Sequence, residues 1–199
     1  MIDFFKDFNN ILDFFAGFFG FLSAWFARNN SVKAYPIGLI SIAIYFYLLF
    51  IFGIYGDIWI NLYYAVMSCY GWYQWSKKAT DHQTDQLKIS RLNLKNWKKT
   101  LFVFVLLILL FYLWLTFQTD SSFPFWDALT TSLGILGMYW MTKRKLEYWI
   151  FFILMDFISI FLYAQKGLWF SAVQFFALML LASNGYFYWK KKLNQVTLN

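Results

Sequence analysis

The chain has 199 residues, of which 61% are apolar, 26% aromatic and only 14% charged, a balance that no ordinary soluble domain exposes without aggregating. Its net charge of +7 sits in short stretches between apolar runs, so it reflects topology and gives no reason to expect a nucleic-acid partner. A single cysteine, Cys69, excludes an intrachain disulfide and makes thiol redox chemistry or a metal site unexpected; as a small residue inside an apolar run it is expected to pack.

The first ten residues mix Asp3, Lys6 and Asp7 with phenylalanines and lack the positive start of a cleavable signal, so they are expected to lie along the outer interface of the membrane. Seven apolar runs follow, near Ile11–Ala27, Ala34–Phe52, Ile58–Trp75, Thr100–Phe117, Phe125–Met141, Tyr148–Ala164 and Leu168–Trp189. Each is long enough, at ~1.5 Å per residue, to cross a hydrocarbon core of ~30 Å. Backbone polar groups in lipid must be satisfied within the segment, and the alternation of barrel strands is absent. The expected fold is an all-α membrane protein with seven transmembrane helices. The polar stretch from Ser76 to Thr100, with the lone His82, is a connection between the third and fourth helices.

A shift of 114 residues lays Gly20–Lys78 on Gly134–Lys192 without a gap. Gly20, Leu22, Ile44, Leu48, Gly53, Gly71, Trp75, Lys77 and Lys78 each meet an identical residue, and the pairs Gly53/Gly167, Gly71/Gly185 and Trp75/Trp189 fall at the ends and turns of apolar runs. The expected organisation is a three-helix repeat over 11–78, a cytoplasmic linker and connecting helix over 79–118, and a second three-helix repeat over 125–192. The single connecting helix makes the repeats parallel, the arrangement of transporters in which one repeat rocks on the other around a site between them.

Fifteen of the seventeen lysines and arginines fall on one side of this topology; only Lys6 and Lys166 fall on the other. By the positive-inside rule the N-terminus faces out and the C-terminus faces the cytoplasm. The basic linker is placed to rest on anionic headgroups.

Polar groups inside spans are costly and mark candidate sites. Asp156 is the sharpest, a carboxylate near the middle of the sixth span. In the third span Asn61, Ser68, Trp72 and Trp75 recur on one helical stripe, with Gln74 beside them. In the seventh, Gln174, Asn184, Tyr186, Tyr188 and Trp189 supply similar groups, and the repeat makes Trp72–Trp75 equivalent to Tyr186–Trp189. Such aromatic pairs suit a flat ring, by stacking or, for a cationic ring, by cation–π attraction. Trp75 and Trp189 stand next to lysines, as interfacial belt residues do, whereas Trp72 and Asn184 lie deeper. Further polar positions are Asp127, Thr130, Thr131 and Ser132, whose hydroxyls are expected to bond their own helix, and Tyr163, Gln165 and Lys166 at the outer end of the sixth span. Gly71, Gly134 and Gly137 suggest close helix approach.

Asp127-Ala128-Leu129-Thr130-Thr131, Lys145-Leu146-Glu147-Tyr148-Trp149, Asp156, Tyr163, Lys166-Gly167-Leu168, Gly185 and Trp189 together resemble the second half of the PnuC vitamin transporters, and Gly71-Trp72-Tyr73-Gln74-Trp75 resembles their W-x-x-W element. The resemblance implies a bacterial inner-membrane carrier with a seven-span SWEET-like fold, no cofactor and no metal. It implies facilitated diffusion of a vitamin precursor, nicotinamide riboside first and thiamine as the alternative, trapped inside by a separate cytoplasmic kinase. Where a glutamine often follows the Thr-Thr segment of nicotinamide riboside carriers, this chain has Gly137, Met138 and Tyr139. The oligomeric state stays open between one copy and a homo-oligomer.

Other classes fit less well. The spans contain no H-E-x-x-H, no G-x-S-x-G and no histidine, so an intramembrane enzyme is not expected. The last span holds no lysine for a retinal Schiff base. A SWEET-like sugar carrier would fit the topology, but only Pro36 and Pro124 are present as hinges. A membrane scaffold is the alternative outside transport, and it would show no saturable uptake.

Overall fold

The computed structural model describes residues 2–52, 55–77 and 88–197, and in these it is helical throughout, with one isolated β-bridge. Seven helices run in chain order: α1 (Ile2–Arg28), α2 (Ala34–Ile51), α3 (Tyr55–Ser76), α4 (Leu94–Gln118), α5 (Pro124–Thr142), α6 (Tyr148–Gln165) and α7 (Trp169–Thr197). They divide into two compact units, Met1–Leu87 and Lys88–Asn199. Among the described residues five helices are long and apolar enough to cross a membrane: α1 from Phe8, α2, α4, α6, and α7 to Gln195. The exceptions are α3, which carries Asp57, Asn61 and Gln74, and α5, which carries Asp127, Thr130, Thr131 and Ser132.

The first residues are helical, since α1 runs unbroken from Ile2. The polar connection ends earlier than Thr100, because Asn93 caps α4 by accepting the Asn96 N–H at 2.8 Å. Gly53, Lys78 and His82 lie outside the described residues.

In the first unit α2 is the middle helix, packed on α1 and α3. Small residues bring α1 and α2 together: Ala16 and Ala34 are fully buried, and a Cβ on Gly38 would lie 2.9 Å from Ser23 Oγ. With the backbones this close, Ser23 Oγ donates to the Ala34 carbonyl and Ser41 Oγ to the Ala16 carbonyl, each at 2.7 Å. On the other side of α2, Asn61 Nδ2 donates to the Ile42 carbonyl at 2.9 Å. The Tyr35 ring covers Gly71 and meets Trp75 edge-on at 5.1 Å.

In the second unit α6 takes the middle, between α5 and α7, and α4 is added against α5. Enclosed on both sides, α5 has ten buried residues, which explains why it tolerates so many hydroxyls. Two of the hydroxyls expected to bond their own helix do so, Ser132 to Ala128 and Thr130 to Trp126 and Asp127, and Thr142 likewise bonds Tyr139. Trp140 Nε1 donates to Thr100 Oγ1 at 3.2 Å, tying α5 to α4. Across α6 the Trp149 ring covers Gly185 and meets Trp189 edge-on at 5.9 Å.

The internal geometry of the two units repeats at the predicted shift of 114. Tyr35 and Trp149 are equivalent, as are Gly71 and Gly185, and each ring fills the space that its glycine leaves. The turns after α1 and α5 share two capping bonds. Asn30 N–H donates to the Ala27 carbonyl and Ser31 N–H to that of Phe26; in the second unit Arg144 does so to Met141 and Lys145 to Trp140. Asn30 and Arg144 both take a left-handed conformation, with φ 56° and 49°. Such a residue ends a helix by capping its last carbonyls.

A side chain at Gly185 has nowhere to go, since its Cβ would stand 2.6 Å from the rigid Trp149 indole. Gly185→Ala is expected to lower stability by about 1–3 kcal/mol, read as a lower melting temperature in detergent. Gly20→Ala, whose Cβ meets only Ser41 Oγ at 3.4 Å, should change little.

Candidate functional site

The stripe on α3 exists but serves two purposes. Asn61, Ser68, Gly71 and Trp75 are buried, and this face is turned to α2. Asn61 is committed to the Ile42 carbonyl, and Gln74 donates to the Tyr70 hydroxyl one turn back at 2.7 Å. Trp72 stands on the rim of the stripe and is 42% exposed. On α7 the buried face comprises Leu181, Ala182, Gly185 and Trp189, while Asn184 is exposed and Gln174, Tyr186 and Tyr188 are half-buried. Trp72 and Asn184 are thus the predicted groups most open to a ligand.

Trp75 and Trp189 are not belt residues. They are 4% and 0% exposed, because their rings turn inward to close the packing begun by Tyr35 and Trp149. The neighbouring lysines do sit outside, on aromatic faces: Lys77 over Tyr73 at 4.5 Å, Lys190 over Tyr186 at 5.9 Å and Lys192 over Tyr188 at 4.9 Å. Cys69, expected to pack, is exposed.

Asp156 is 2% exposed in the middle of α6, and its Oδ1 has no hydrogen-bond partner among the described residues. The repeat explains why this is unusual. Its equivalent in α2 is Ile42, whose backbone carbonyl takes the Asn61 amide; Asn61 in turn corresponds to Phe175. The second unit has no amide at this place and carries a carboxyl instead. Nothing in the described residues answers it, and a lone buried acceptor at that depth costs several kcal/mol, of the order of 2–7.

Two features escaped the sequence. Tyr148 and Trp149 join Trp189 in an aromatic cluster, with Tyr148 5.1 Å from Trp189 and 4.4 Å from Trp149; their spacing along the chain gives no hint of it. Lys166, at the outer end of the sixth span, and Asp127, a polar position of the fifth, form an ion pair of 3.1 Å, with Ser121 Oγ donating to Asp127 Oδ2 at 2.6 Å. A groove of about 320 Å³ near that end is lined by Phe123, Trp126, Phe157, Phe161, Leu162 and Gln165, and of the polar positions singled out from the sequence it includes Gln165 alone. Among the described residues no group of histidines, cysteines and carboxylates could hold a metal.

Three comparisons bear on what the arrangement does. The model of a family described as "Nicotinamide mononucleotide transporter" matches residues 10–191. Proteins named nicotinamide riboside transporter PnuC are similar: that of Escherichia coli (strain K12) is 25% identical over 195 residues, 85% of this chain and 81% of the relative. The one from Haemophilus influenzae is 26% identical over 178 residues, covering 88% and 77%, and the one from Neisseria mucosa 26% over 149, covering 73% and 56%. A structure described as the crystal structure of the vitamin B3 transporter PnuC superposes with a TM-score of 0.74 at 23% identity, over 98% of this chain and 86% of that one, and so shares its fold.

The division of each aromatic pair into one packed and one open ring has a thermodynamic consequence. Trp189→Ala removes a fully buried indole and is expected to cost about 3–5 kcal/mol, whereas Trp72→Ala should leave the melting temperature nearly unchanged. Thermal unfolding of both variants in the same detergent checks this.

Proposed function

We propose a substrate and a mechanism on the premise that this chain belongs to the nicotinamide mononucleotide transporter family, the PnuC transporters. The family transports and is not enzymatic, and the chain is a multi-pass membrane protein. The proposed cargo is nicotinamide riboside, taken up across the bacterial inner membrane by facilitated diffusion. The observation that carries this choice is that similar proteins from three bacteria, matched over most of this chain, are named for that substrate.

The chemistry of the spans agrees with a riboside better than with a mononucleotide. No lysine or arginine lies within α2, α3, α5 or α6, so the middle of these helices offers no cation to neutralise a phosphate. Nicotinamide riboside carries a pyridinium cation, and the groups available suit one. Within the first unit Trp72 offers an aromatic face and Gln74 an amide; within the second Tyr186 offers a ring and Asn184 an amide, with Tyr188 on the same helix. Asn61, Ser68, Trp75 and Trp189 hold the helices that present these groups. Asp156 supplies a negative charge or an acceptor to a positively charged cargo.

Diffusion down a gradient needs no motor and no coupling ion; accumulation follows when a cytoplasmic kinase phosphorylates the riboside, which then cannot return past spans that lack a cation. In this scheme the basic ends of the helices face the cytoplasm and the N-terminus faces out.

Counterflow in proteoliposomes tests the proposal, with nicotinamide riboside, thiamine and glucose as competing cargoes. Saturable exchange of nicotinamide riboside that the other two do not inhibit is the expected result; exchange of thiamine alone would replace the substrate, and exchange of none would refute transport of a vitamin. In the same assay Trp72→Ala and Asp156→Asn should each weaken riboside affinity about tenfold, through lost stacking and lost charge respectively. Unchanged affinity in Asp156→Asn would make the carboxyl a structural group.

A further inference from the structure

The equivalent turns of the two units share one backbone and differ in what they hold. In the second unit the α5–α6 turn carries an extended strap. Ser90 N–H donates to the Arg144 carbonyl at 3.1 Å and Leu146 N–H donates to the Ser90 carbonyl at 2.9 Å, a single parallel bridge. Two residues on, Glu147 Oε2 accepts the Leu92 N–H at 2.9 Å, while Lys145 Nζ donates to Ser90 Oγ at 2.8 Å. Leu92 and Leu146 are both buried, the latter to 1%.

The repeat places Asn30, Val32 and Lys33 where the second unit has Arg144, Leu146 and Glu147. The capping bonds and the positive φ match, so the Asn30 carbonyl and the Val32 N–H are set as the strap-holding groups are. Neither has a hydrogen-bond partner among the described residues. Asn30 Oδ1 is also buried without one, and Val32 is half-exposed where Leu146 is covered. The chemistry differs at one point. Where Glu147 receives an N–H, Lys33 is exposed and offers a cation, with Arg28 at the start of the same turn.

We propose that the α1–α2 turn, 28–33, is a docking edge for an extended acidic segment of a soluble partner protein. The segment pairs with the Asn30 carbonyl and Val32 N–H as Ser90 pairs with Arg144 and Leu146, and sets a carboxylate against Lys33. Backbone pairing of this kind supplies affinity and is indifferent to sequence; the side chain beside the bridge selects. The exchange of glutamate for lysine changes that selection from a backbone donor to an anion, and a basic segment would meet like charge. Because the turn carries Arg28 and Lys33, the partner belongs to the side of the membrane that the positive-inside rule makes cytoplasmic.

The test uses the full chain purified in an uncharged detergent and two fluorescein-labelled hexapeptides, Leu-Ile-Ser-Asp-Leu-Asp and Leu-Ile-Ser-Lys-Leu-Lys, followed by fluorescence anisotropy. The acidic peptide is expected to bind saturably and about fivefold or more tightly than the basic one, and Lys33→Glu should reverse that order while leaving the melting curve unchanged. Lys33→Gln should abolish the preference without reversing it. Equal binding of both peptides, binding of neither, or a preference that Lys33→Glu leaves intact would overturn the proposal. So would binding that emerges only with Asp81→Asn and Asp85→Asn, since the chain's own linker would then be the occupant. A bimane label on Val32→Cys, in a Cys69→Ser background, that responds to phosphatidylglycerol micelles and not to the acidic peptide would assign the turn to lipid headgroups and overturn it too.

Discussion

In each unit an aromatic ring enters the helix layer at the start of the middle helix and must be housed where the surroundings offer little but packing. Tyr35 and Trp149 are nearly fully buried there, and the room is made by Gly71 and Gly185 on the following helix. In lipid there is no hydrophobic gain from pressing two helices together, so what holds them is fit. A ring seated in a glycine notch supplies that fit, and the edge-on contact with Trp75 or Trp189 adds about 0.5–1.5 kcal/mol beyond the area covered. Once the ring is seated, the crossing of the middle and third helices is fixed. The faces that remain, including Trp72, Asn184 and Tyr186, are then presented outward from their unit.

The contact on the other side of the middle helix follows the same rule with its parts exchanged. In the first unit the small residue is Gly38 on α2, facing Ser23 on α1; in the second it is Gly137 on α5, facing Phe151 and Phe152 on α6. Ser23 is the equivalent of Gly137, and Gly38 of Phe152. A small residue has moved from one helix to its neighbour while the close approach is kept. Packing requires only that the two surfaces complement each other, so it leaves such exchanges free.

That freedom sets what could be read from the sequence. The seven helices and the glycine pair Gly71 and Gly185 were legible, because apolar length and the notch residues are constrained by identity. The exchanged pair was not, since no position is identical. The inward turn of Trp75 and Trp189 was hidden for a different reason: tryptophan beside lysine is also what an interface selects, and only the partner ring 40 residues away distinguishes the two. The pairing of Lys166 with Asp127 and the strap on the α5–α6 turn rest on contacts across 39 and 55 residues, which no local pattern announces.

A repeat also locates function by where it fails. Structural demands act on both units alike and leave equivalent answers, as in the ring and notch or the left-handed turn. A demand that acts once should leave a difference that packing does not explain. The middle helices provide such a difference: the first unit uses the Asn61 amide to satisfy the Ile42 carbonyl, whereas the second carries Phe175 in place of the amide and Asp156 in place of the isoleucine. The amide adds a bond between helices. The carboxyl adds none, leaves Oδ1 without a partner among the described residues, and costs free energy at the depth where it sits. Stability alone would favour the isoleucine at both positions. Packing therefore does not account for the carboxyl in the second unit, and this difference is what supports its proposed role toward a cationic cargo.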